Sequence, residues 1–205
     1  MAIVDSRAAQ RIGWTMTDLA VAFLSGGARL LQLRAKEVPG GPLLETAAAI
    51  VDRAHRAHAH VVINDRADIA RLCGADGVHV GQQDLTPDAV RQIVGPGALV
   101  GLSTHTPQEL DAALLQPVSY IAVGPVFPTI SKAGADASIG LEGVRRAAGT
   151  TRARGLPLVA IGGVTLDTAP DVLRAGASSV AVIADLVAGG DPESRVRAYL
   201  ARLTI

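Results

Sequence analysis

The sequence predicts a (β/α)8 barrel. Three observations predict it: eight short apolar runs, helix-length segments between them, and a repeat interval of roughly 20 to 30 residues. An open doubly wound sheet is the competing architecture, but the G-x-G-x-x-G loop that usually follows its first strand is missing. Both folds build their sites at the C-terminal ends of the strands. A chain of 205 residues, 49% hydrophobic and 19% charged, fits one domain over 1–205.

In order along the chain, Ile3 to Asp5 is a short first strand, followed by a connection through Trp14. A helix from about Thr17 to Ser25 stops at Gly26 and Gly27. Leu30 to Leu33 is the second strand and runs into Arg34-Ala35-Lys36; Gln32, Arg34 and Lys36 share one parity while Leu31 and Leu33 take the other. After the Pro39 to Pro42 loop comes a helix from Leu43 to about Ala59. The stretch Val61 to Leu85 then reads as strand, helix (Asp68 to Cys73), Gly-marked return (Gly74 to Gly77) and strand, a right-handed crossover between parallel strands. Asn64 and Asp65 end its first strand, and Gly81 to Asp84 follow its second, so Asp65 and Asp84 share one sheet edge.

Thr86 and Pro87 open another helix as cap and first-turn proline, and Gly95-Pro96-Gly97 closes it. The fifth strand, Leu99 to Leu102, leads into Ser103, Thr104 and His105. Thr106 and Pro107 repeat the cap signal, with Glu109 placed as in a capping box. Tyr120 to Val123 is the sixth strand, ahead of a long Gly124 to Gly140 loop. A helix over Leu141 to Arg154, a strand over Leu158 to Ile161, the Gly162-Gly163 turn and a helix from about Thr168 to Arg174 follow. Ser179 to Ile183 is the eighth strand, and Pro192 to Leu203 the closing helix.

Lys plus Arg equals Asp plus Glu at 19 each, so no global field recruits nucleic acid or an anionic membrane. An aromatic content of 2% removes the stacking platforms of single-strand binders. One cysteine, Cys73, forms no internal disulfide and has no paired histidine in sequence. No apolar run approaches the ~18 residues of a membrane span, and the N-terminus lacks a signal-peptide core. A cytoplasmic enzyme acting on small molecules is the expectation.

Asp65 and Asp84 suit Mg2+, a hard ion that takes a few carboxylate oxygens and completes its octahedron with water and substrate phosphate; helix-capping surface aspartates are the plainer reading. Arg34 and Lys36 suit a phosphate clamp or ordinary solvated charges. Gly162 and Gly163, with Ile183 and Ala184, sit where barrels hold a phosphate on backbone N–H groups, although glycines there also make tight turns. Lys132 lies in a loop long enough to serve as a lid, or is a surface lysine. Helical projection keeps His60 off the face of His55 and His58, so the three are read as solvated helix-end residues. His79 falls inside a strand as a core residue, and His105 shapes a strand end without acid–base work. Ser-His-Asp order, H-E-x-x-H, C-x-x-C and an in-strand Schiff-base lysine are all missing. Two carboxylates, two or three cations and a backbone phosphate site remain.

From about Ala28 to Leu203 the chain resembles the thiamine-phosphate synthase (thiamine-phosphate pyrophosphorylase) family. The motifs Q-L-R-A-K, I-N-D-R-A-D-I-A, G-A-D-G-V-H-V-G-Q-Q-D-L, S-T-H-T, G-P-V-F-P-T-I-S-K and A-I-G-G-V stand in family order. The resemblance implies a TIM barrel joining 4-amino-2-methyl-5-pyrimidinylmethyl diphosphate to a (carboxy)thiazole phosphate, with release of pyrophosphate. It implies pyrimidine diphosphate contacts at Gln32, Leu33, Arg34, Ala35, Lys36, Asn64, Ser103 and Lys132, with Arg34, Lys132 and Ser103 catalytic. It implies Mg2+ on Asp65 and Asp84, and thiazole phosphate at Thr129, Ile130, Ser131, Gly163, Ile183 and Ala184. The thiazole tautomerases of the same barrel carry histidine where this chain has Pro125 and commonly lack the two aspartates; a non-catalytic phosphate sensor is the other alternative. The chain departs from the family pattern at Ser131, which keeps a threonine's hydroxyl, and around Ser138 and Ile139, where a proline is usual. It departs again at Ala184 and Asp185, in place of serine and alanine. Asp185 is expected to repel the thiazole phosphate modestly, so that Ala184→Ser with Asp185→Ala would tighten its binding.

Overall fold

A computed structural model describes residues 1–129 and 137–203. Its eight strands form one parallel sheet in the order β1-β2-β3-β4-β5-β6-β7-β8, and the ends meet. Ala2 bridges Val182 in parallel, and Ile3 N–H donates to the Val182 carbonyl at 3.0 Å. The strands are β1 (Ala2–Asp5), β2 (Leu30–Arg34), β3 (His60–Asn64), β4 (Gly77–Val80), β5 (Leu99–Thr104), β6 (Tyr120–Val123), β7 (Leu158–Ile161) and β8 (Ser179–Ala181). Around them run α1 (Ser6–Arg11), α2 (Met16–Ser25), α3 (Gly40–Arg56), α4 (Ala67–Cys73), α5 (Pro87–Val94), α6 (Pro107–Ala113), α7 (Gly140–Arg152), α8 (Ala169–Arg174) and α9 (Pro192–Leu203).

Two-residue alternation divides every strand between two cores. Val4, Leu31, Leu33, Val61, Ile63, Val78, Val100 and Ile121 face outward into the helix layer. Ile3, Tyr120, Ala122, Val159 and Ala181 form the separate apolar filling of the barrel. Each fully buried aliphatic side chain in these layers contributes about 1.5–3 kcal/mol. Strand registers stack the interior positions: Asn64 lies beside His79, His79 beside Gly101, and Gly101 beside Tyr120. Gly101 leaves the room this layer needs, because a Cβ there would stand 2.1 Å from the Tyr120 ring and 2.5 Å from His79 Nδ1.

Several expected boundaries move for identifiable reasons. The first connection contains α1, which Asp5 caps by accepting from Ala8 N–H at 2.9 Å. α3 starts at Gly40 because Pro42 sits in the first turn, where a missing N–H costs nothing. It ends at Arg56, so His60 belongs to β3 and the helical projection does not apply to it. His55 Nε2 and His60 Nδ1 therefore do converge, on the two oxygens of Asp76 at 3.1 and 2.9 Å, at the barrel face opposite the site. Thr86 and Thr106 cap α5 and α6 as expected, but Glu109 reaches back to His105 N–H at 2.6 Å, one residue before the cap. α2 has a full capping box of Thr15 and Asp18 that the sequence reading passed over.

β8 ends at Ala181, two residues short of expectation, and a 3-10 turn at Ala184–Val187 follows. Here the expectation for Asp185 is overturned. Its carboxylate accepts from Arg195 Nη2 at 2.8 Å, from the Tyr199 hydroxyl, and from Leu166 N–H at 3.0 Å. It ties the 3-10 turn to α9 and to the β7–α8 connection and is neutralised by Arg195, leaving no free charge to repel an anion. Burial alone would raise the Asp185 pKa; the bonds from Arg195 and Tyr199 outweigh it and hold the carboxyl below its ordinary value.

A depressed folded-state pKa contributes stability above the unfolded value of about 4, and that stability is lost as pH falls through the lower folded value. Asp185→Asn should therefore cost about 1–3 kcal/mol at pH 7, the worth of hydrogen bonds to a charged group. The gap in Tm between parent and variant should narrow as pH drops toward 3, and thermal melts across that range check it.

Candidate active site

The C-terminal rim gathers most of the residues singled out from the sequence. β3 ends in a γ-turn centred on Asp65: Arg66 N–H donates to the Asn64 carbonyl at 2.8 Å, and Asp65 has φ of 63°. The positive-φ γ-turn is the rare, strained form, and aspartate is among the few side chains that tolerate it. Asp65 N–H still reaches the His79 carbonyl at 2.8 Å. The turn thus ends the ladder and sends the Asp65 carboxylate toward the rim.

There it meets Lys36 and Asp84. Lys36 Nζ lies 3.1 Å from Asp65 Oδ2, and the Asp84 carboxyl is near enough to act on it electrostatically. Asp84 is held from the other side, its Oδ2 accepting Gly81 N–H at 2.8 Å. Burial raises the Asp65 pKa above the ordinary carboxylate range; Lys36 opposes that rise and the Asp84 carboxyl reinforces it. With Lys36 the one cation beside two carboxylates, the group carries more negative than positive charge. Asn64, Asp65, Arg66, Ala35 and Lys36 line a cleft of about 290 Å3 beside it. Oxygen donors from two adjacent strand ends suit a hard divalent ion that keeps water and substrate oxygens in its shell.

Arg34 projects from β2 toward the barrel mouth and pairs with Asp5 at 2.6 Å. Asp5 is buried and spends its other oxygen on the α1 cap. Sequence reasoning passed over Asp5, although its parity with Ile3 matches that of Arg34 with Gln32, and that parity is the signal that finds it. Gln32 is buried one layer below Arg34, with Nε2 3.6 Å from Met1 Sδ. Leu33 faces the helix layer at 1% exposure, so only its main chain remains available to a ligand.

Ser103 stands inside β5, which runs to Thr104. Its Oγ lies 2.8 Å from His79 Nε2, and its carbonyl accepts Gln82 Nε2 at 2.6 Å. The other ring nitrogen of His79 lies 2.9 Å from the Tyr120 hydroxyl. Burial pushes the His79 pKa down to about 4, so the ring is neutral at pH 7. Gln82 and Tyr120 were not foreseen. His105 shapes the rim as expected: its Nδ1 lies 2.6 Å from the Gly124 carbonyl and braces the start of the β6–α7 loop.

The loop base is fixed on β7. Val126 N–H donates to the Ile161 carbonyl at 2.9 Å and Phe127 N–H to the Gly162 carbonyl at 3.0 Å. Gly163 has φ of 66°, and a Cβ there would approach the Pro128 carbonyl to 2.7 Å. The glycine is demanded by loop packing. Thr129 is the last described residue before the gap; Ile130, Ser131 and Lys132 lie outside the described residues. Ile183 is half-buried and Ala184 exposed at the start of the 3-10 turn. Cys73 is half-buried, and burial raises its thiol pKa, in keeping with an inert role.

A family model described as thiamine monophosphate synthase matches residues 1–186. A thiamine-phosphate synthase of Roseiflexus sp. (strain RS-1) is 40% identical over 96% of this chain and 81% of its own. One from Koribacter versatilis is 43% identical over 91% and 85%. Among solved structures, a thiamine phosphate pyrophosphorylase from Pyrococcus furiosus superposes with a TM-score of 0.86 at 28% identity, covering 98% of this chain and 93% of that one. The chain belongs to the thiamine monophosphate synthase family.

Proposed function

We propose that the chain condenses 4-amino-2-methyl-5-pyrimidinylmethyl diphosphate with a thiazole phosphate or its carboxy form, yielding thiamine phosphate and pyrophosphate. The observation that carries the reading is the junction of Asp65, Asp84 and Lys36 at one rim of a barrel in this family, with Arg34 and Ser103 on neighbouring strand ends. In the reaction the bond from the pyrimidinylmethyl carbon to the diphosphate oxygen breaks, and its electron pair leaves with the diphosphate. The thiazole nitrogen lone pair then closes the new C–N bond on a carbon with carbocation character.

Such a step calls for neutralisation of the leaving group and for exclusion of water rather than for a general base. Arg34 and Lys36 supply fixed positive charge on the side where the diphosphate departs. Lys132 adds to it from the β6–α7 loop. Asn64 and Ser103 offer hydrogen bonds to the pyrimidine diphosphate. Asp65 and Asp84 would hold Mg2+, whose charge would offset that of the diphosphate and of the two carboxylates. Gly163, Ile183, Ala184 and the Thr129 to Ser131 segment receive the thiazole phosphate. The two adjoining carboxylates support a synthase over a tautomerase or a phosphate sensor, neither of which needs them. Among the described residues no helix is long and apolar enough to cross a membrane, and a cytoplasmic location suits soluble substrates of this kind.

The direct test is formation of thiamine phosphate and pyrophosphate from the two substrates with Mg2+ present, and its loss on chelation. Asp65→Asn and Asp84→Asn should each lower turnover by ~10²-fold or more. The melt should stay unchanged, since asparagine also tolerates the positive φ at position 65. Parental turnover in either variant at saturating Mg2+ would sink the metal assignment. Lys132→Ala should lower kcat more than it raises KM for the pyrimidine diphosphate, as expected of a cation that meets developing charge. A rise in KM alone would reduce Lys132 to a binding residue.

A further inference from the structure

We propose that Tyr120 and His79 are positioning residues that fix the Ser103 hydroxyl as a hydrogen-bond donor toward the rim. The geometry is a buried line of three groups. The Tyr120 hydroxyl lies 2.9 Å from His79 Nδ1, and His79 Nε2 lies 2.8 Å from Ser103 Oγ. The two rings stack with centroids 5.5 Å apart and planes inclined by 25°. Gly101 opens the space they occupy.

A neutral imidazole has one donor and one acceptor nitrogen, so the direction of the whole line follows from either end. Among the described residues the Tyr120 hydroxyl has no hydrogen-bond partner besides His79 Nδ1, and Tyr120 and His79 are each 7% exposed. A phenol hydrogen left unpaired in such a place costs about 1–3 kcal/mol. The Tyr120 O–H therefore donates to Nδ1, the ring proton sits on Nε2, and Nε2–H donates to Ser103 Oγ. With that lone pair taken, Ser103 directs its own hydrogen elsewhere. The Ser103 carbonyl is engaged by Gln82, and Ser103 is half-buried, one residue before the C-terminal end of β5. The reverse polarity would strand the Tyr120 hydrogen and leave Ser103 only lone pairs to offer.

This direction selects the ligand atom. A donor hydroxyl matches a ring nitrogen or a diphosphate oxygen of the pyrimidine diphosphate and mismatches its exocyclic amine. That last step rests on the proposed reaction; the polarity itself does not.

Nitrogen-15 NMR of the histidine-labelled resting protein at pH 7 reads the polarity directly. His79 should show a protonated Nε2 and an unprotonated Nδ1, and the opposite tautomer overturns the proposal whether or not the protein turns over. Kinetics tests the route through Ser103. Tyr120→Phe should lower kcat/KM about tenfold in the parent, the scale of one hydrogen bond, with no further loss in a Ser103→Ala background. An equal factor in both backgrounds would make Tyr120 merely structural and defeat the proposal. Absence of product from the unmodified protein with Mg2+ would count against the proposed reaction alone, since the tautomer is read without substrate.

Discussion

Closure of β8 onto β1 through Ala2 and Val182 forces each strand to present alternate residues to a narrow interior, and the rest of the molecule follows from that constraint. A sheet closed on itself has no unpaired edge, and its interior is too small for solvent. Polar groups that fall on inward positions must then satisfy one another or reach the mouth. Tyr120, His79 and Ser103 satisfy one another, as do Asp5 and Arg34, while Arg34 and Asn64 are only half-buried. The inward positions near the C-terminal strand ends, Asp5, Arg34, Asn64 and Ser103, therefore inherit their geometry from register.

Charge at the mouth is balanced locally in a chain of zero net charge. Arg34 is met by Asp5, Lys36 by Asp65, and Asp185 by Arg195. These pairings differ in what a ligand would do to them. The Asp185 carboxylate is saturated by Arg195, Tyr199 and a backbone N–H and has nothing to exchange. The Asp65–Asp84–Lys36 group carries two acids for one base, and Lys36 is half exposed, so its charges are not balanced within the group. The first arrangement is saturated and the second is not, although both read in sequence as an aspartate after a strand.

Element type was legible because helix caps and strand parity are local. Tyr120 to Val123 and Leu158 to Ile161 were located to the residue, and Thr86 and Thr106 announced their helices. Asp65 and Asp84 were legible as partners because a right-handed crossover puts consecutive strand ends side by side. What could not be read depends on contacts distant in sequence. Asp185 is defined by Arg195 and Tyr199 one helical turn apart on α9, and nothing at position 185 distinguishes an outward carboxylate from an inward one. The His55 and His60 pair escaped because a helical projection was extended to His60, which lies beyond α3 and opens β3, so that it was rotated away from Asp76.

The same dependence explains why His79 was read only as a core residue. Its neighbours in register are Asn64 on one side and Gly101 on the other, and a glycine inside a strand ordinarily weakens it for want of a side chain to pack. Here the missing side chain is the reason the layer exists, since the Tyr120 ring fills the volume above Gly101 and delivers its hydroxyl to the imidazole. A single β-carbon at position 101 would separate His79 from Tyr120 and remove the group that sets the ring's tautomer. The polarity of Ser103 at the mouth is therefore decided two residues lower in β5, by a residue whose only contribution is the space it leaves.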